Sequence, residues 1–220
     1  MSTLARTVVL GPFFAACITA VGCAGTQPKP SLVPPQNVDM DAEVLSEFYD
    51  EVQEYVRLRK EASSMVPPIA VGNSAAQIGA HQQAIADVIR VLRGNAKRGD
   101  IFEPEVAAAF RRIIEREVHG PEGPEIVKEI ADGNPKVEGV PKQSNPTQEV
   151  KKPVEVKVNA YYPDGAPFSS VPPSLLLKMP QLPEQVRYRF VGRTLILRDT
   201  EANVILDFIP DIVPDKSIPR

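Results

Sequence analysis

From Met40 to Glu61 the apolar residues Leu45, Phe48, Tyr49, Val52 and Val56 recur at intervals of three and four, with acids over the remaining positions. That spacing places them on one stripe and predicts an amphipathic helix. Met65-Val66-Pro67-Pro68 ends it, because proline cannot continue the backbone ladder. Ser74-x-x-Gln77 is a capping box that opens a second helix with the stripe Ile78, Ile85, Val88, Ile89 and Leu92, closed near Gly94. Glu103-Pro104-Glu105 opens a third, with proline in the first turn and acids at the positive end of the helix dipole. Its stripe is Val106, Phe110, Ile113, Ile114 and Val118, closed by Gly120, and a short fourth helix is expected around Glu125 to Ile130. Helices with such narrow stripes are marginal alone, so a small bundle with a shared core is expected.

Past Pro153 the period changes. Val154, Val156, Val158 and Ala160 alternate with Glu155, Lys157 and Asn159, the pattern of a half-buried strand, and Tyr162-Pro163-Asp164-Gly165 reads as a turn. Val186, Tyr188 and Phe190 alternate with Arg187 and Arg189. Gly192-Arg193 then suits a two-residue type II′ hairpin turn, with glycine first. That turn pairs Phe190 with Leu195 and Tyr188 with Leu197 on one face, and Arg189 with Ile196 and Arg187 with Arg198 on the other. After a loop at Thr200 to Asn203, Val204, Leu206 and Phe208 are expected to join the buried face, with Asp207 outside near the arginines. The earlier strand would complete a small sheet around this meander.

The expected fold is therefore α+β: an N-terminal bundle of three to four helices and a small C-terminal antiparallel meander, joined by a Pro-rich linker. The divisions are a leader at 1–22, a Pro-rich tether at 23–37, a helical domain at 38–132, a linker at 133–153 and a β-rich domain at 154–215.

Charge and composition narrow the chemistry. The net charge is -3, so clustered cations of the kind that displace counterions from nucleic acid are not a feature of the chain. Residues 38–132 hold 18 acidic and 11 basic side chains, whereas 133–220 hold 12 basic and 10 acidic. There are only two histidines, His81 and His119, and His81 has Ala84 and Ile85 where a second ligand would sit on the helix, so no metal or cofactor site is expected. No Gly-rich phosphate loop, G-x-S-x-G or H-E-x-x-H is present. Ser169-Ser170 with Lys178 is the remaining arrangement that a hydrolase could use.

The start of the chain has one basic residue, Arg6, then the apolar stretch Thr7 to Val21, then small residues around Cys23. That is the plan of a secretory signal. Cys17 and Cys23 are the only cysteines, which excludes a disulfide framework in the body. Ala20-Val21-Gly22-Cys23 resembles the lipobox of bacterial lipoproteins, with Ala20 in the place where Leu is usual. The resemblance implies lipidation of Cys23 and anchoring in the cell envelope on the periplasmic face. Plain secretion to the periplasm and an uncleaved anchor are the alternatives. The four prolines between Gly25 and Asn37 suit an extended tether.

Val171-Pro172-Pro173-Ser174-Leu175-Leu176-Leu177-Lys178-Met179-Pro180, followed by Tyr188-Arg189-Phe190-Val191-Gly192 and Leu195-Ile196-Leu197, resembles the C-terminal segment of RcnB-like and CigR-like exported bacterial proteins. The resemblance covers about a quarter of the chain, and it implies an association with nickel and cobalt homeostasis but no metal-ligating residue here, since the segment lacks His and Cys. Three expectations follow: a non-enzymatic envelope lipoprotein that binds another envelope protein, an accessory protein in metal stress, or a hydrolase with an unrecognised site. Arg187, Arg189 and Arg198 are the candidate anion- or partner-binding residues, with Asp207 as their internal counterion in the plainer reading.

Overall fold

A computed structural model describes residues 40–69, 72, 74–133, 155–162 and 169–214. Four helices come first: α1 (Ala42–Ser64), α2 (Ala75–Leu92), α3 (Pro104–Val118) and α4 (Gly123–Gly133). A single-turn helix, α5 (Pro173–Leu176), precedes three strands, β1 (Val186–Val191), β2 (Thr194–Asp199) and β3 (Ile205–Ile209), in the antiparallel order β1-β2-β3. The fold is α+β, with the helices first and the meander at the C-terminal end.

The capping box of α2 forms in full: the Ser74 hydroxyl accepts from the Gln77 amide, and the Gln77 side chain accepts from the Ser74 amide. Pro104 occupies the first turn of α3. The stripe of α3 is buried throughout, and that of α1 is buried at Leu45, Phe48, Val52, Tyr55 and Ala62. Tyr55 takes the deep place on α1, and Val56 is only half-buried. On α2 only Ile85, Ala86 and Ile89 are buried, while Ile78 and Leu92 at its ends are exposed.

The hairpin has the register that alternation predicts, with Arg187 opposite Arg198, Tyr188 opposite Leu197, Arg189 opposite Ile196 and Phe190 opposite Leu195. Gly192 has φ +57° and Arg193 has no positive φ, which fits type II′ and not type I′.

Two expectations for the sheet are corrected. Residues 155–160 form no strand; the chain lies beside β3 through a single bridge, Tyr161 to Val204, with the Asn159 amide donating to the Ile205 carbonyl at 2.8 Å. The Asn159 φ of 62° takes it out of the extended conformation that a regular ladder needs. The second correction concerns the phase of β3. A bulge between Leu197 and Arg198 shifts the register, so that Leu197 faces Asp207 and Ile196 faces Phe208. One extra residue inverts the alternation beyond it. Asp207 thereby joins the helix-facing side, and Phe208 joins the opposite one.

The segments that the sequence divides into 38–132 and 154–215 share one core. Phe48 of α1, Phe102 before α3, Phe110 of α3 and Tyr188 of β1 form an aromatic chain with successive ring centroids 5.1–5.9 Å apart. Ile126 and Ile130 of α4, Leu175, Met179 and Val213 belong to the same cluster. A smaller cluster on the outer face of the sheet joins Tyr162, Ile196 and Ile205, with Val156, Ala160 and Phe208 packed against it. The expected linker beyond Gly133, the turn from Pro163, the tether and the leader with Cys23 lie outside the described residues.

Candidate functional site

Two fully buried carboxylates tie the helices to the sheet. Asp199, at the end of β2, accepts at Oδ2 from the Tyr55 hydroxyl at 2.6 Å and from Arg59 Nε at 2.7 Å. Its Oδ1 accepts from the amides of Glu201 and Ala202 at 2.9 and 2.7 Å. Arg59 also reaches Glu201. Burial first, and then the adjacent Asp199 charge, raise the Tyr55 hydroxyl far above the usual phenol range.

Asp207 accepts four backbone amides: Gly99, Ile101 and Phe102 from the turn between α2 and α3 at 2.8–3.1 Å, and its neighbour Phe208 at 2.8 Å. It is thus the anchor of a remote turn, and the reading of Asp207 as counterion to the arginines is overturned. The cause is the bulge, which turns its side chain toward the helices.

Arg93 is buried at the end of α2. It donates to the Asn159 side chain and to the Leu206 carbonyl, both at 3.0 Å, and its guanidinium lies 5.4 Å from the centre of the Tyr55 ring. Burial lowers its pKa from the ordinary arginine value. Arg193 pairs with Asp211 across the hairpin end. These buried polar groups are matched within the fold, as groups removed from water must be. Sequence reasoning missed Asp199, Arg93 and Tyr55 because the side-chain partners that join them across the helices and sheet lie 66 to 144 residues away.

The three candidate arginines come together on the outer face of the β1–β2 hairpin. Arg187 is exposed and donates to the Pro183 and Val186 carbonyls at 3.2 and 2.9 Å. Arg189 is half-buried and donates to the Tyr188 carbonyl at 2.8 Å. Arg198 is half-buried, with Nε on the Asn203 side chain and its guanidinium 5.6 Å from the centre of the Tyr162 ring. Burial first, then the charges of Arg198 and Arg187, lower the Arg189 pKa. The face is therefore less open than the alternation predicts: the cluster around Tyr162 covers its Ile196 end, and only Arg187 stands clear.

Ser169 is buried and its hydroxyl donates to the Ile130 carbonyl at the end of α4, while its backbone bridges Phe190 of β1. That places it in the packing of α4 against the sheet edge and not in a nucleophile's position. His81 is half-buried on α2, and the His119 Nδ1 lies 2.8 Å from the Glu115 carbonyl at the end of α3. A groove of about 590 Å³ lies between the end of α2 and residues 157–160, lined by Asp87, Arg90, Val91, Lys157 and Asn159. Among the described residues no three His, Cys, Asp or Glu side chains gather as a metal-ion site, and no helix is long and apolar enough to cross a membrane. Compared with family models, with curated proteins and with solved structures, the chain matches none.

Proposed function

We propose that the protein is an exported lipoprotein held in the envelope through Cys23, and that its α+β body is a non-enzymatic module that binds an acidic envelope protein at Arg187, Arg189 and Arg198. The observation that carries the reading is the gathering of three guanidiniums on one hairpin face, two of them directly opposite each other. Like charges placed opposite on a ladder repel, and Arg189 already feels both neighbours. An anionic group laid across them relieves that repulsion and gains charge-assisted, bidentate hydrogen bonds. The lipobox-like Ala20-Val21-Gly22-Cys23 and the Pro-rich stretch after it support presentation from a membrane.

The test is affinity capture from envelope extract with the wild type and the Arg187→Ser/Arg189→Ser variant, both with matched melting temperatures. Specific capture of an acidic protein by the wild type, lost in the variant, supports the reading. Equal capture by both overturns it. Loss of binding only to vesicles containing anionic lipid, with protein capture unchanged, reassigns the face to the membrane.

A further inference from the structure

Residues 62–86 contain no Asp, Glu, Lys or Arg. This is the longest charge-free run of the chain, where a composition of 24% charged residues would place about six in a stretch of that length. It covers the end of α1, the connection and most of α2. Every described residue from Ser64 to Ala80 except Val66 is exposed. Three of these are large and apolar: Met65 is 54% exposed, Ile69 42% and Ile78 40%. Beside Ile78 the first turns of α2 present Ala75, Ala76, Gly79 and Ala80. Among the described residues a Cβ on Gly79 would meet nothing within 4 Å, so packing among them does not require glycine there. An exposed glycine within a helix is otherwise among the least favourable choices.

Charge absent over this length suits a surface that loses its water, since a charge buried without a partner is costly. The identity of the partner follows from the same feature. An interface with a different protein can match one sign of charge with the other. A two-fold interface sets residues near the axis against their own images, so a charge there meets its like. A charge-free patch is complementary to itself. The rest of residues 38–132 is acidic, with 18 acids against 11 bases, and two copies repel there. We propose that the α1–α2 tip is a self-association surface on which a second copy of this chain packs, through Met65, Ile69, Ile78 and the small residues of α2.

Sedimentation of the full chain in density-matched detergent tests this. The wild type is expected to reach a dimer as concentration rises. Ile78→Asp, an exposed position in the single chain, is expected to weaken association at least about tenfold with an unchanged melting temperature. Mixing Ile78→Asp with Ile78→Lys is expected to restore a dimer of one copy of each, and Leu177→Asp, at an exposed apolar position outside residues 62–86, is expected to change nothing. A chain that stays monomeric at every concentration overturns the proposal, as does an Ile78→Asp variant that dimerises like the wild type. Binding to neutral phosphatidylcholine vesicles that Ile78→Asp abolishes, with the chain monomeric, also overturns it and assigns the tip to lipid.

Discussion

Asp199 and Asp207 do a larger share of the folding work than their sequence context suggests. Each is fully buried on the helix-facing side of the sheet and each is matched by four donors. Removing the Asp207 carboxylate leaves the buried Ile101 and Phe102 amides and the half-buried Gly99 amide beside a void. An unsatisfied buried donor costs about 1–3 kcal/mol, so Asp207→Ala is expected to lose about 3–5 kcal/mol in urea unfolding. A loss under about 1 kcal/mol would mean that the turn before α3 holds without its anchor. The tyrosines give a second, pH-linked expectation. Burial pushes the Tyr162 hydroxyl up to about 12 against the opposing influence of Arg198, and burial also raises Tyr55 and Tyr188 well above the usual phenol range. Above about pH 10 the unfolded chain releases these protons and the folded one keeps them, so stability falls as pH rises. Chemical denaturation from pH 9 to 12 is expected to show a decline beginning near pH 10, steepening by up to about 1.4 kcal/mol per pH unit for each such tyrosine. Tyr162→Phe is expected to reduce that slope.

The β1–β2 hairpin was legible because its signals are local: alternation on both sides of Gly192-Arg193 allows one register only. It follows that Phe190, fully buried on the helix-facing side, and Arg187, exposed on the other, differ sharply in cost. Phe190→Ala is expected to cost about 3–5 kcal/mol through lost burial and a cavity. Arg187→Ser is expected to cost below about 1 kcal/mol, and thermal melts of the two variants check the contrast. The helices were legible for the same reason, through caps and stripes within one element. What could not be read depends on elements far apart in the chain. A bulge opposite Leu197 has no local signature, yet it decides that Asp207 points inward and Phe208 outward. Tyr55 falls on the α1 stripe's edge, and its depth comes from distant partners: the Asp199 carboxylate that takes its hydroxyl and the Arg93 guanidinium over its ring. The strand expected before Ala160 failed because Val156 and Ala160 pack on the outer face of the meander without entering a ladder.

Composition divides the chain at the Pro-rich stretch, but its chemistry joins the two sides. The core cluster runs from Phe48 to Val213, and Tyr55, Arg59 and the amides before α3 bond directly to the sheet's two aspartates. The meander alone has three short strands, too few to be stable without a packed face, and the α3 stripe and the helix-facing strand residues share one cluster. Helices and sheet are thus expected to unfold in one transition, with far-UV and near-UV signals superimposed. Covalent continuity between them should matter little once folded. With a specific protease site inserted after Gln143, a cut chain is expected to co-elute as one particle under native conditions and to separate in urea. It should not refold from isolated halves at low concentration, since each half would expose its side of the core. Asp199→Ala, introduced before cutting, removes the acceptor of Tyr55 and of Arg59 Nε, leaving Arg59 with Glu201, and is expected to release the halves at lower urea than the cut wild type. Halves that part spontaneously on cutting, each keeping its own melting transition, would instead show two autonomous units, and the buried aspartates would then bear on local stability alone.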